Sequence, residues 1–252
     1  MAHWYDNKGN KCYTVVGANG DIRDTTLKDA RKCGFVPSST GIINQLSKIF
    51  VEKWKLDHHL KVCWEYHNKN IFLDCDHYKE AIKTLTNPLL IKSRDLGVEV
   101  HDSFEKFYKT SKCKKHLNIC KMIINKINEK IGRYQYISEE SFYCNFGYGG
   151  TVDLYCKNPP IVIDLKVKNN IKKCNISFDY AMQLGSYRFG LEIFEARCFN
   201  VFIIIDDECQ FKDIIINECD NSELIKAFDA FKCLLKYWQI SNKMKPEIDY
   251  LI

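Results

Sequence analysis

Asp153, Asp164 and Lys166 stand where acids and amines are costly, inside two short apolar runs. GGTVDLYC and IVIDLKVK are joined by KNPP across residues 149–168. If Lys157 to Pro160 form a four-residue loop, Cys156 pairs with Ile161 and Asp153 falls directly opposite Asp164. Side chains alternate along a strand with period two. One face therefore carries Thr151, Asp153, Tyr155, Val162, Asp164 and Lys166. The other carries Val152, Leu154, Cys156, Ile161, Ile163, Leu165 and Val167; it is wholly apolar and is expected to face the core. Two carboxylates about 5 Å apart across a strand pair repel each other. A raised pKa or a bound cation must compensate, and oxygen ligands suit a hard divalent ion such as Mg²⁺ or Mn²⁺. Lys166 shares that face and reaches the same substrate atom. A cation on a phosphoryl oxygen with an ammonium beside it is an arrangement that cleaves phosphodiesters. The plain alternative is a surface hairpin whose outer face holds two acids and a lysine. The dry opposite face and the Gly149-Gly150 lead-in weigh against it.

The elements that must position these groups follow from patterning. A short strand from Cys12 to Val16 and a turn at Asn19-Gly20 precede a helix from Thr25 or Thr26 to Cys33, which Gly34 closes as a C-terminal cap. Ser38, Ser39 and Thr40 offer hydroxyl caps for a helix from Gly41 to Tyr66, whose apolar residues recur at helical spacing. Helices are expected at His77–Leu85, at Leu90–Lys109 beyond a break at Pro88, and at Leu117–Ile131. From Arg133 the texture turns to strands, at 133–137, 140–146, 150–156 and 161–167. A helix from Ser177 to Glu192, strands at 196–206 and 211–217, and a helix over 222–239 behind an Asn221-Ser222 cap complete the chain. The expected architecture is one α/β domain with helical additions on its N-terminal side.

Composition excludes several classes. The longest apolar stretch, Val201 to Ile205, is far shorter than the roughly 20 residues a membrane span needs, and the polar N-terminus argues against a secretory signal. A net charge of +5 is compatible with a polyanionic partner without arguing for one. The 13 cysteines are odd in number and include no CxxC, so most read as small core residues in a reducing, cytoplasmic compartment rather than as disulfides or metal clusters.

Asp153 followed by Asp164-Leu165-Lys166 resembles the acid and D-x-K elements of the PD-(D/E)XK nuclease superfamily. More narrowly, the chain is similar to RecB-like exonucleases, of the phage type related to the mitochondrial genome maintenance exonuclease. Gly97-Val98-Glu99-Val100-His101 resembles that group's GxxxH helix. Glu139-Glu140 sits where it places an acid, and Gln183 with Tyr187 resembles its QxxxY helix. The N-terminal segment through Pro37-Ser38-Ser39-Thr40 is also similar. The resemblance implies a restriction-endonuclease-like mixed central sheet flanked by helices, in a single domain over 1–252, with a helical part at about 1–132 and a catalytic core at about 133–252. It implies a metal-dependent DNA exonuclease acting on single-stranded DNA with a free end, in replication, recombination or repair, and a phage- or virus-encoded origin. Asp153, Asp164, His101 and the carbonyl of Leu165 would hold Mg²⁺ or Mn²⁺, Lys166 would orient water, and Glu139 would be an outer acid. The group's four-cysteine iron–sulfur branch is unmatched, so no such cluster is expected.

Bland readings stand beside these. Outside its motif, His101 reads as a histidine flanking a core stripe. Tyr187 reads either as core, on the apolar stripe of its own helix, or as a nucleic-acid contact that, with Gln183, bonds the DNA backbone or Lys166. Adjacent strand residues face opposite ways, so only one of Glu139 and Glu140 can serve, with Glu139 favoured. Ser38 and Ser39 read first as caps and second as phosphate contacts, and Lys168, Lys172 and Lys173 as backbone contacts. Trp4, Trp54 and Trp64 are candidates for base stacking, with burial the stronger reading for the last two. Two other functions remain open: a nuclease fold that binds nucleic acid without cutting it, and an RNA or flap endonuclease. No protein partner is implied.

Overall fold

In a computed structural model, residues 3–46, 49–69, 74–113, 115–168, 171–206 and 210–244 are described. They form two compact units, Met1–Gln45 with His101–Ile252, and Leu46–Val100. The second unit contains α3 (Ile49–Asn68) and the first part of α4 (Cys75–Thr110). No helix among the described residues is long and apolar enough to cross a membrane.

The first unit is built on a five-stranded sheet: β5 (Ile137–Cys144), β6 (Tyr148–Cys156), β7 (Ile161–Lys168), β8 (Arg197–Ile205) and β9 (Phe211–Cys219), in that spatial order. Neighbours are antiparallel except β7 and β8, which run parallel. A parallel pair needs a crossover, and α6 (Phe178–Gly190) supplies it. β8 is buried along its whole length after Arg197, as a strand covered on both faces requires. On one side α6 packs against α7 (Asn221–Ser241), and their residues Ala181, Leu184, Ala227 and Phe231 share a core with Tyr148, Val152 and Val162. α5 (Leu117–Lys130) packs against β9.

The N-terminal segment adds two small antiparallel pairs. β1 (Trp4–Tyr5) joins β4 (Val36–Pro37), and β2 (Thr14–Val16) joins β3 (Ile22–Asp24). α1 (Leu27–Cys33) begins with a capping box between Thr26 and Asp29 and ends on left-handed Gly34, as its sequence predicts. Gly149 and Gly150 are needed for close approach. A Cβ on Gly149 would stand 2.7 Å from the Tyr5 ring, and one on Gly150 2.7 Å from the Phe142 ring.

Several expected boundaries move. The helix foreseen from Gly41 to Tyr66 is two: α2 (Ser39–Ile43), capped by Ser38, ends at Asn44, and α3 starts at Ile49. The break expected at Pro88 does not occur, since α4 is continuous through it. Proline's fixed φ is itself helical; what it costs is one donor and a clash with the preceding turn. The strand expected at 133–137 does not form, only Ile137 being part of β5, and the one expected at 140–146 ends with β5 at Cys144. The last helix is capped by Asp220, whose carboxylate accepts from Ser222 N.

Candidate active site

The hairpin forms with the register its loop length requires: Cys156 opposite Ile161, Tyr155 opposite Val162, Leu154 opposite Ile163. There the backbone ladder between β6 and β7 stops, while β7 continues beside β8 to Lys168. Asp153 fills the opening. Its Oδ2 accepts from Leu165 N at 2.6 Å, so a side chain satisfies a backbone donor that the diverging strand no longer serves. Val152, Leu154, Cys156, Ile161, Ile163 and Leu165 are buried as expected, whereas Val167 is only half-buried. Val162 and Asp164, on the opposite face, are buried as well. That face is not solvated, because α6 lies over it.

Asp164, with a side chain 3% exposed, is held by donors on both oxygens. Gln183 Nε2 donates to Oδ1 at 3.0 Å and Asn200 Nδ2 to Oδ2 at 2.8 Å. Lys166 Nζ lies 2.7 Å from the same Oδ2 and donates to Gln183 Oε1 at 2.9 Å. Gln183 Nε2 also contacts Tyr187 Oη at 2.6 Å. One α6 side chain thus ties the acid, the amine and the phenol together. Burial raises the Asp164 pKa, and although Lys166 opposes this the net shift is upward. Lys166 is pushed down by burial, but Asp164 and Asp153 more than reverse it and the ammonium is favoured. Burial and the nearby Asp164 hold Tyr187 well above the ordinary phenol range.

On the other side of the hairpin, His101 comes from α4 and sets Nδ1 3.3 Å from Asp153 Oδ1. Burial lowers the imidazole pKa, and Asp153 overrides it, lifting the value to about 8. Burial raises Asp153, but His101, Lys166 and the Leu165 N–H bring it below the usual range. Glu139 adopts φ +57°, and the pairs on either side of it, Ser138 with Leu154 and Glu140 with Val152, put it across from Asp153. Left-handed backbone is uncommon for such a residue. Glu139 lines the same pocket as Asp153, while Glu140 is exposed. Burial and Asp153 raise the Glu139 pKa, with Lys11 Nζ at 3.3 Å opposing them.

The remaining expected residues disperse. Lys168 is bound to Tyr180 Oη and lies 5.0 Å from its ring centroid; Lys166 is 5.2 Å from the same ring. Lys172 is exposed on a short 3₁₀ turn, and the Lys173 side chain lies outside the described residues. Ser38 caps α2 and Ser39 is fully buried; both line the pocket that holds Asp153. Trp4 is buried with its indole N–H on Thr25 O, which removes it as a stacking surface. Trp64, expected in the core, is 65% exposed. The Trp54 side chain lies outside the described residues. Asn200 was not foreseen. Its signal was the one that marked Asp164: a polar residue inside the apolar strand RCFNVFIII, in parallel register with that aspartate.

The donor types, two carboxylates and an imidazole, suit a hard divalent ion. Adjacent ligands of such an ion lie ~3 Å apart, which the 3.3 Å contact between His101 and Asp153 matches. Among the described residues no three His, Cys, Asp or Glu groups stand together ready to hold an ion, because the Asp164 oxygens face Lys166, Asn200 and Gln183.

No family model and no curated protein matches the chain. Among solved structures it is similar to a candidate exonuclease from Eubacterium rectale, with 15% identity and a TM-score of 0.41 over 62% of this chain and 72% of that one. A phage-related exonuclease from Haemophilus somnus 129PT gives 14% and 0.33 over 58% and 83%. An alkaline exonuclease from Laribacter hongkongensis gives 15% and 0.30 over 49% and 69%.

Proposed function

We propose that this chain is a divalent-metal-dependent phosphodiesterase, a DNA exonuclease of the RecB-like PD-(D/E)XK type that acts on single-stranded ends. On this reading the sheet and its helices form a restriction-endonuclease-like core with a helical N-terminal elaboration. What supports it most is Asp153 bonded to the Leu165 N–H, between Asp164 and Lys166 in the chain, where β6 and β7 part, with Gln183 binding Asp164 and Lys166 at once. A chain that only gripped nucleic acid would gain nothing from burying two carboxylates that repel phosphate.

Asp153, His101, Asp164 and the Leu165 carbonyl would hold Mg²⁺ or Mn²⁺, with Glu139 as an outer acid. The ion would supply charge for the phosphoryl oxygens and acidify bound water. Lys166 keeps its proton; an ammonium has three donors, and with two directed at Asp164 and Gln183 the third is available to a phosphoryl oxygen or the attacking water. Gln183 fixes where that ammonium points, and Tyr187 holds Gln183 from behind. Asp164 Oδ1 accepts from Gln183, and its second lone pair would be given to the ion.

End-labelled single-stranded, duplex and flapped DNA, and single-stranded RNA, incubated with Mg²⁺, Mn²⁺ or chelator, test the reading. Stepwise shortening of single-stranded DNA with metal, none with chelator, and none by Asp153→Ala or Lys166→Ala is expected. Binding without cleavage, or unimpaired cleavage by both variants, overturns it.

A further inference from the structure

The pocket beside Asp153 is richer than the hydrolytic step requires. It encloses about 250 Å³ and is walled by His3, Tyr13, Ser39 and Thr40 in addition to Asp153 and Glu139. His3 and Tyr13 are stacked, with ring centroids 4.3 Å apart and planes 17° from parallel. His3 is exposed, so the pair offers an aromatic wall to a flat ligand. Tyr13 is braced from behind by Tyr5, hydroxyl to hydroxyl at 2.9 Å, and Tyr5 is braced in turn by Thr151 at 3.0 Å. The His3 carbonyl accepts from Ser38 N at 2.9 Å, which fixes the rings relative to the hydroxyl side of the pocket. There Ser39 Oγ is fully buried and has no hydrogen-bond partner. A buried hydroxyl without a partner is unusual in a folded protein, but this one has no surface open to the pocket.

We infer that this pocket binds the terminal nucleotide of a single strand, the base stacked on the His3–Tyr13 pair. The inference rests on the nuclease reading and specifies its substrate. Its size is below the usual 300–1,000 Å³ range of small-molecule sites, so it admits one nucleotide and not a run of them. Stacking on an aromatic tolerates every base, so the terminal nucleotide is gripped without sequence preference. A paired end does not present its base to such a wall, which favours unpaired ends.

Binding of dAMP, which has no phosphodiester bond to cut, tests the inference by calorimetry with Mg²⁺ present. Wild-type protein is expected to bind dAMP about ten-fold or more tighter than deoxyribose 5-phosphate, a comparison that needs no variant. His3→Ala and Tyr13→Ala weaken dAMP about ten-fold and leave the sugar phosphate unchanged, whereas His3→Phe restores the affinity. Equal affinity for the two ligands, no binding of dAMP, or indifference to both ring truncations overturns the inference. Loss of ring-dependent dAMP binding with metal-dependent cleavage intact refutes the pocket alone. Ring-dependent dAMP binding in a protein that cuts nothing refutes the nuclease reading alone.

Discussion

The two acids of the hairpin stand on the two strands that one loop joins, yet live in different surroundings. Asp164 is sealed under α6, with every oxygen given a donor by Lys166, Asn200 or Gln183. Asp153 faces the N-terminal segment and α4. It has one backbone donor and one imidazole, and it borders a pocket. Their pKa shifts run in opposite directions, Asp153 down and Asp164 up. The difference teaches a division of labour. The α6 side is a fixed frame that holds an ammonium and a carboxylate in register. The Asp153 side is the open half, where the acid and its imidazole partner border a pocket.

The comparison can be broken hardest by removing either half's charged member. Asp153→Ala or Lys166→Ala should each reduce the cleavage rate about 10³-fold, measured as initial rates on end-labelled single strands; near wild-type rates would mean that neither half matters. Gln183→Ala removes the brace and leaves the reacting groups in place, so kcat should fall about 10–100-fold with a smaller change in KM. Asn200→Ala tests whether the sealed half is structural. Losing one of the Asp164 donors in a dry site should cost about 1–3 kcal/mol in urea denaturation, and no loss would show that Lys166 and Gln183 suffice. The smallest effect belongs to the open half. Lys11 is 42% exposed beside Glu139, so Lys11→Met should change stability by no more than about 1 kcal/mol. It should also raise the Glu139 pKa further, because burial and Asp153 already push it upward and Lys11 opposes them. A carboxyl-carbon NMR titration reads that sign, and a fall would contradict it.

Much of the sealed half was legible in the sequence, because it depends on rules that act locally. A Pro-containing loop between two apolar runs fixes the register, and a charge inside a buried strand announces itself. Asn200 obeyed the same rule and was overlooked among the bulky residues around it. The open half was less legible. That Glu139 and not Glu140 lines the pocket comes with a left-handed backbone at one position, which strand alternation does not foresee. That His3 and Tyr13 come to Asp153 depends on pairing between β1 and β4, two-residue strands too short to show a period. The helix boundaries at Ser39–Ile43 and through Pro88 erred for a related reason. Caps and breakers state preferences worth a few kcal/mol at most, and surrounding structure overrides them.

The central claim is that Asp153, His101 and Asp164 gather around one divalent ion with Lys166 beside it. Anomalous diffraction from crystals soaked in Mn²⁺ tests it most directly. The account predicts a peak touching Asp153 and His101, absent in Asp153→Ala. A fully soaked crystal with no peak there, or with manganese bound only elsewhere, would contradict it.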